Sequence, residues 1–252
     1  MRVAAVQHDI VWEDRDATLA HLEPLVKAAA ATGAALVVLP EMFAVGFSMA
    51  TGRIAEATGG PTSAWLAGQA SDHGVAICGS VPERAAGADR PANTFVLAEP
   101  DGTLHRYAKR HPFSFAGEDQ HYVAGDATTT VEVGGARLSP AICYDLRFAD
   151  QFWAQGPGTD CFVVVANWPA ARRAHWRALL TARAIENQAY VVGVNRVGAG
   201  DGIDYAGDSC IIDPLGEVLA DGGAAEGCVA ADVDPAVVTE TRRRFPFLAD
   251  RT

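Results

Sequence analysis

The chain opens on a short apolar run, residues 2–8, followed by a polar stretch in which Leu19, Leu22, Leu25, Val26 and Ala29 recur at helical spacing. The first reads as a buried strand. The second reads as a helix over 15–32, stopped by Gly33 at the position where a left-handed residue ends helices. Residues 35–39 follow at once as a strand. Gly60-Pro61-Thr-Ser starts another helix, with proline tolerated in the first turn, and leads into an apolar strand over 74–78. Residues 93–97 and 103–107 predict a hairpin around Asp101-Gly102. From 110 to 128 no period is visible, and a loop of that length inside a domain is usually functional. Apolar runs then predict strands at 130–133, 137–142, 160–165, 189–194 and 208–212, and two short strands between 217 and 232. A helix fits 172–187, with Ala174, Leu179, Ala182 and Ile185 inward. Alternating strands and helices predict an α/β fold, a single domain over 1–252 without a linker or low-complexity stretch.

Composition narrows the function classes. Apolar residues make up 49% of the chain and aromatics only 8%, which suits closely packed helices and sheets. A formal net charge of −11 argues against nucleic acid or anionic membranes as partners. The five cysteines are far apart and form no C-x-x-C pair, which disfavours zinc ribbons, thioredoxin-type sites and a secreted disulfide framework. Arg2 brings charge too early for a signal peptide, and no apolar run approaches the ~20 residues of a membrane span. The expectation is a soluble, cytoplasmic protein. Arg242, Arg243 and Arg244 read as a solvated helix end favoured by the dipole.

Three strand ends carry the candidate chemistry. Glu41 closes one apolar run, Lys109 follows another, and Cys143 stands where a strand gives way to a predicted helix. A thiol at such a turn lies beside free N–H groups that favour the thiolate. Singly, Glu41 could be a cap, Lys109 an edge charge and Cys143 a small buried hydrophobe. Together they point to one site, because α/β sheets collect their sites at strand ends. Competing motifs are missing: no H-E-x-x-H, no Gly-Lys-Ser/Thr loop, no Gly-x-Ser-x-Gly elbow.

Leu39-Pro-Glu41-Met-Phe, Tyr107-x-Lys109-x-His-x-Phe113 and Ile142-Cys143-Tyr-Asp-Leu-Arg147-Phe resemble the three catalytic motifs of the nitrilase (carbon–nitrogen hydrolase) superfamily, in that family's order. The likeness runs from Ala4-Ala-Val-Gln7 to Asp213-Pro-x-Gly216-Glu, and Ala166-Asn-Trp-Pro169 with 181–188 resembles the omega-amidase branch. The resemblance implies an αββα sandwich that dimerises into a larger layered body, with no cofactor and no metal. It also implies Cys143 as nucleophile, Glu41 as general base, Lys109 as a transition-state stabiliser, and Glu118 as a second glutamate that orients the site; for the oxyanion the expected donors are Lys109 and the Tyr144 N–H. Asp119 competes with Glu118 for that place. Removing Lys109 should abolish turnover and leave the fold intact. The implied substrate is the terminal amide of a short 2-oxo dicarboxylic acid, whose free carboxylate calls for a guanidinium. Arg172 is the candidate, with Arg173 and Arg147 as rivals; Phe43, Tyr144 and Trp168 would wall the pocket.

Overall fold

The chain folds, in a computed structural model that describes residues 1–251, around two mixed β-sheets. The first runs from edge to edge as Gly227–Asp232, Arg2–Gln7, Leu36–Val38, Ala76–Arg84, Ala92–Ala98 and Leu104–Ala108, with the short Glu56–Ala57 attached to Ala76–Arg84. The second runs as Val218–Asp221, Cys210–Ile212, Tyr190–Asn195, Cys161–Ala166, Ala136–Ile142 and Val131–Val133. Their central strands are parallel and buried on both faces, which is why they read as unbroken apolar runs rather than alternating ones.

One core lies between the sheets, where Val3, Val38 and Phe95 meet Leu138, Val163 and Val192. On the outer face of the first sheet, helices Arg15–Ala30 and Pro61–His73 bury Leu22, Val26, Leu66 and Ala70. On the outer face of the second, Ala149–Gln155 and Arg173–Asn187 bury Phe152, Trp176 and Leu180. The layers are therefore helix, sheet, sheet, helix, the expected αββα sandwich. Gln7 helps tie the sheets at one end: its Nε2 donates to Ala225 O at 2.7 Å and Gly223 O at 3.0 Å, while Ser209 N donates to its Oε1 at 2.9 Å.

Several sequence expectations need correction. Helix Arg173–Asn187 turns Trp176, Leu180, Arg183, Ala184 and Asn187 inward, whereas Ile185 is 52% exposed. Counting apolar residues rotated the face because two inward residues are polar and satisfied. Arg183 Nη2 donates to Leu146 O at 2.8 Å with its guanidinium over Phe152, and Asn187 Nδ2 donates to Arg183 O at 2.9 Å. The aperiodic 110–128 stretch contains a 3₁₀ turn, Ser114–Ala116, and a short helix, Glu118–His121. Arg242 is only partly solvated, since its Nη2 donates to the carbonyls of Gly156, Thr159 and Asn187 at 2.9, 2.7 and 3.0 Å; Arg243 and Arg244 are exposed. Among the described residues, no helix is long and apolar enough to cross a membrane.

Candidate active site

Glu41 follows the strand Leu36–Val38, Lys109 follows Leu104–Ala108, and Cys143 follows Ala136–Ile142. The first two strands belong to one sheet and the third to the other, so the site spans the seam between the sheets. A fourth strand end, after Cys161–Ala166, adds Asn167.

Lys109 is buried between two equally buried carboxylates. Its Nζ donates to Glu41 Oε1 at 3.0 Å and to Glu118 Oε1 and Oε2 at 3.1 and 2.8 Å. Asn93 Nδ2 also reaches both, at 2.8 Å from Glu41 Oε1 and 3.2 Å from Glu118 Oε1. Glu118 Oε2 further accepts the Phe113 N–H at 2.5 Å, and Glu41 Oε2 accepts the Asn167 N–H at 2.8 Å. Asp119, the competitor for the Glu118 place, is exposed. Burial alone would discharge the lysine, but Glu118 and then Glu41 overturn it and hold the ammonium well above its usual range. Burial also pushes Glu118 up, followed by Lys109 pulling it down and Glu41 pushing it up again. Geometry opposes protonation there, because each Glu118 oxygen already accepts two hydrogen bonds and a proton would displace a donor.

Cys143 begins the five-residue 3₁₀ turn Cys143–Arg147 with φ at +46°, a left-handed conformation uncommon for a residue with a Cβ. Buried Asp145 clamps that elbow. Its Oδ2 accepts from Ile142 N at 2.9 Å and Tyr107 Oη at 2.8 Å, and its Oδ1 accepts from His111 N at 3.0 Å and His111 Nδ1 at 2.8 Å. His111 in turn stacks on Phe148 with centroids 3.7 Å apart. One carboxylate thus fixes the Cys143 elbow to the strand end bearing Lys109. The thiolate expectation fails: a single 3₁₀ turn has too little dipole, and burial, then Glu41, push the Cys143 thiol well above its ordinary range. Both causes favour the neutral thiol over the thiolate.

Cys143 and Asn167 open into a cavity of about 380 Å³ whose walls include Phe113, Tyr144, Trp168 and Tyr205. Trp168 is held by Asn195, which accepts its N–H at 2.7 Å and donates to its carbonyl at 3.1 Å. Phe43 is not a wall residue. It is fully buried beside Trp65 under the helix layer, and a Cβ on Gly79 would lie 2.6 Å from its ring. Of the three arginines, Arg147 and Arg172 line the cavity, lying over Trp168 at 4.9 Å and Phe113 at 5.5 Å. Arg173 is engaged by Asp208 at 2.6 Å. Among the described residues, no group of three or more His, Cys, Asp or Glu side chains is arranged to hold a metal ion.

Sequence reasoning passed over Asn93 and Asp145. Asp145 left a faint signal, an acid two residues past Cys143 and able to reach back to the turn's own N–H groups. Asn93 left none, because a polar residue starting a hairpin strand is unremarkable.

The model of the carbon-nitrogen hydrolase family matches residues 2–243. The chain is 42% identical to "Omega-amidase YafV" of Escherichia coli K12 over 99% of this chain and 96% of the other. It is 37% identical to the "2-oxoglutaramate amidase" of Bacillus subtilis over 85% of this chain and 84% of that one. A solved carbon–nitrogen hydrolase superfamily protein from Xanthomonas campestris, carrying an arsenic adduct in its active site, superimposes with a TM-score of 0.93 at 39% identity, covering 100% of this chain and 97% of the other. With that family model over residues 2–243 and relatives of this identity along nearly its whole length, this chain belongs to the carbon–nitrogen hydrolase family.

Proposed function

We propose that the protein is an amidohydrolase of the omega-amidase type, cleaving the terminal amide of a short 2-oxo dicarboxylic acid monoamide such as 2-oxoglutaramate or 2-oxosuccinamate. The observation that carries this is Cys143 opening, beside the buried Glu41–Lys109–Glu118 cage, into a pocket lined by Arg147 and Arg172, neither of them paired to a carboxylate among the described residues. The 42% and 37% identical relatives support the substrate class.

An amide carbonyl is a poor electrophile, so its attack needs a thiolate and donors already in place for the oxyanion. Glu41 takes the thiol proton as sulfur adds to the carbonyl carbon. Lys109 Nζ and the Tyr144 N–H hold the oxyanion. Collapse breaks the C–N bond, and Glu41 returns its proton to the departing nitrogen, giving ammonia and a thioester. Glu41 then deprotonates water, which adds to the thioester and releases the acid and the thiol. Arg172, with Arg147 also lining the pocket, binds the free carboxylate, while Tyr144 and Trp168 narrow the space around the acyl chain. Glu118 holds Lys109 in place and needs no cofactor to do so.

We further take the chain to work as one catalytic domain, as a homodimer, in the cytoplasm. Five free thiols suit a reducing compartment. Exposed Ile185, Leu215, Val218 and Leu219 suit coverage by a second copy.

A panel of 2-oxoglutaramate, simple nitriles and N-carbamoyl amino acids, read by ammonia release, tests the substrate. The monoamide should exceed the others in kcat/KM by at least about 10²-fold, and R172A should raise KM about 10-fold or more with kcat little changed. Equal rates on nitriles would redirect the function within the family.

A further inference from the structure

The catalytic cage contains a closed ring of four atoms. Lys109 Nζ and Asn93 Nδ2 each sit within hydrogen-bond reach of both Glu41 Oε1 and Glu118 Oε1, at 3.0 and 3.1 Å for the ammonium and 2.8 and 3.2 Å for the amide. Donors and acceptors alternate around it. The amide's orientation follows, since the opposite one would face an oxygen against two carboxylate oxygens. Among the described residues it leaves Asn93 Oδ1 buried without a partner, an unfavourable arrangement that the donor side must offset.

Counting acceptor places shows what the ring does. Glu118 Oε1 accepts from Lys109 and Asn93, and its Oε2 from Lys109 and Phe113 N. Glu41 Oε1 accepts from Lys109 and Asn93, but its Oε2 accepts only from Asn167 N. Among the described residues, the one open acceptor place on the two carboxylates is on Glu41 Oε2. That is where a proton leaving Cys143 can land.

We propose that Asn93 is a positioning residue for the reaction: its amide occupies the inner oxygens of both glutamates, so that a proton cannot settle inside the cage and Glu41 Oε2 stays free as the base. Removing Asn93 opens one place on each Oε1. A proton taken up by the cage can then settle on an inner oxygen, and the base is lost until the pH rises far enough to remove it. This rests on the role of Glu41 proposed above. The charged or titratable groups facing Glu41 are Lys109, Glu118 and Cys143, with the Tyr122 and Tyr205 hydroxyls farther out. None of these can replace the lost N–H except Lys109, which already serves both acids.

The test follows the alkylation rate of Cys143 by iodoacetamide against pH, read by peptide mass, in wild type, N93A and the isosteric N93D. It needs no amide substrate, so it succeeds or fails independently of the substrate assignment. In wild type the acid limb reports Glu41, and E41Q should erase it; a limb unchanged in E41Q would refute the base assignment instead. With a hydrogen bond to a charged group removed, the N93A limb should move up by about 1–2 pH units, with the rate recovering at high pH. N93D, which adds a third acid, should move it at least as far. Circular dichroism identifies which variant is folded, and the isostere covers a collapse of N93A. A limb that stays in place in either folded variant overturns the proposal, as does a lowered plateau without a shift.

Discussion

Lys109 cannot be removed without charging the core. The expectation that its loss would leave the fold intact ignored its two buried carboxylates, 2.8 and 3.0 Å away. K109M should reduce ammonia release by about 10²-fold or more, the usual cost of an oxyanion donor. It should also destabilise the fold by about 3–5 kcal/mol at neutral pH, as an orphaned buried charge does. That loss should shrink as the pH falls and the carboxylates take up protons. Urea denaturation of K109M at neutral and mildly acidic pH checks both, and wild-type stability at neutral pH would count against the cage. At this scale the sequence was legible where a residue sits at a strand end inside a recognisable motif, as Glu41, Lys109 and Cys143 do, whereas Glu118 starts a short helix within the aperiodic stretch. Asn93 was not, because strand register, which sets it opposite Pro82, brings it beside residues 52 and 25 positions away.

Elements explain why the thiol points at the cage. The strand Ala136–Ile142 ends in a left-handed Cys143, and Asp145 reaches back to Ile142 N and across to His111. D145N replaces an acceptor-only carboxylate with an amide whose N–H₂ must face some of four donors. We expect kcat to fall by about 10²-fold, the scale of a misplaced reacting group, with KM little changed. Steady-state kinetics decide this, and an unaltered kcat would show that the elbow holds without its clamp. Strands and the first helix were readable from apolar runs, since both faces of a central strand are buried. The face of Arg173–Asn187 was not, because Arg183 and Asn187 are inward yet fully hydrogen-bonded, and binary patterning has no symbol for a satisfied polar core residue.

On the scale of the molecule, the two sheets contribute opposite halves of the site, so anything that loosens their seam should cost activity and stability together. His8 marks that seam. It is fully buried at the end of Arg2–Gln7, and burial above all lowers it from 6.5 to about 4, with Arg196 adding to the effect. A histidine depressed in the folded chain contributes stability above its unfolded value and loses it as pH falls from there toward the folded value. Between pH 7 and 4.5 this group should account for about 2–3 kcal/mol of lost stability. In H8N the loss over that window should be smaller by that amount, and equal slopes for both proteins would remove His8 from the account. The layered architecture itself was foreseeable from the family motifs, whereas the seam's buried polar groups depend on contacts between residues two hundred positions apart, such as Gln7 and Ser209.

All of this converges on one thiol. Ammonia release from 2-oxoglutaramate by C143A, compared with wild type at equal concentration of folded protein, tests the account most directly. Loss of the nucleophile should lower the rate by about 10⁴-fold or more. A C143A protein that still releases ammonia within about tenfold of wild type would contradict a covalent mechanism at Cys143.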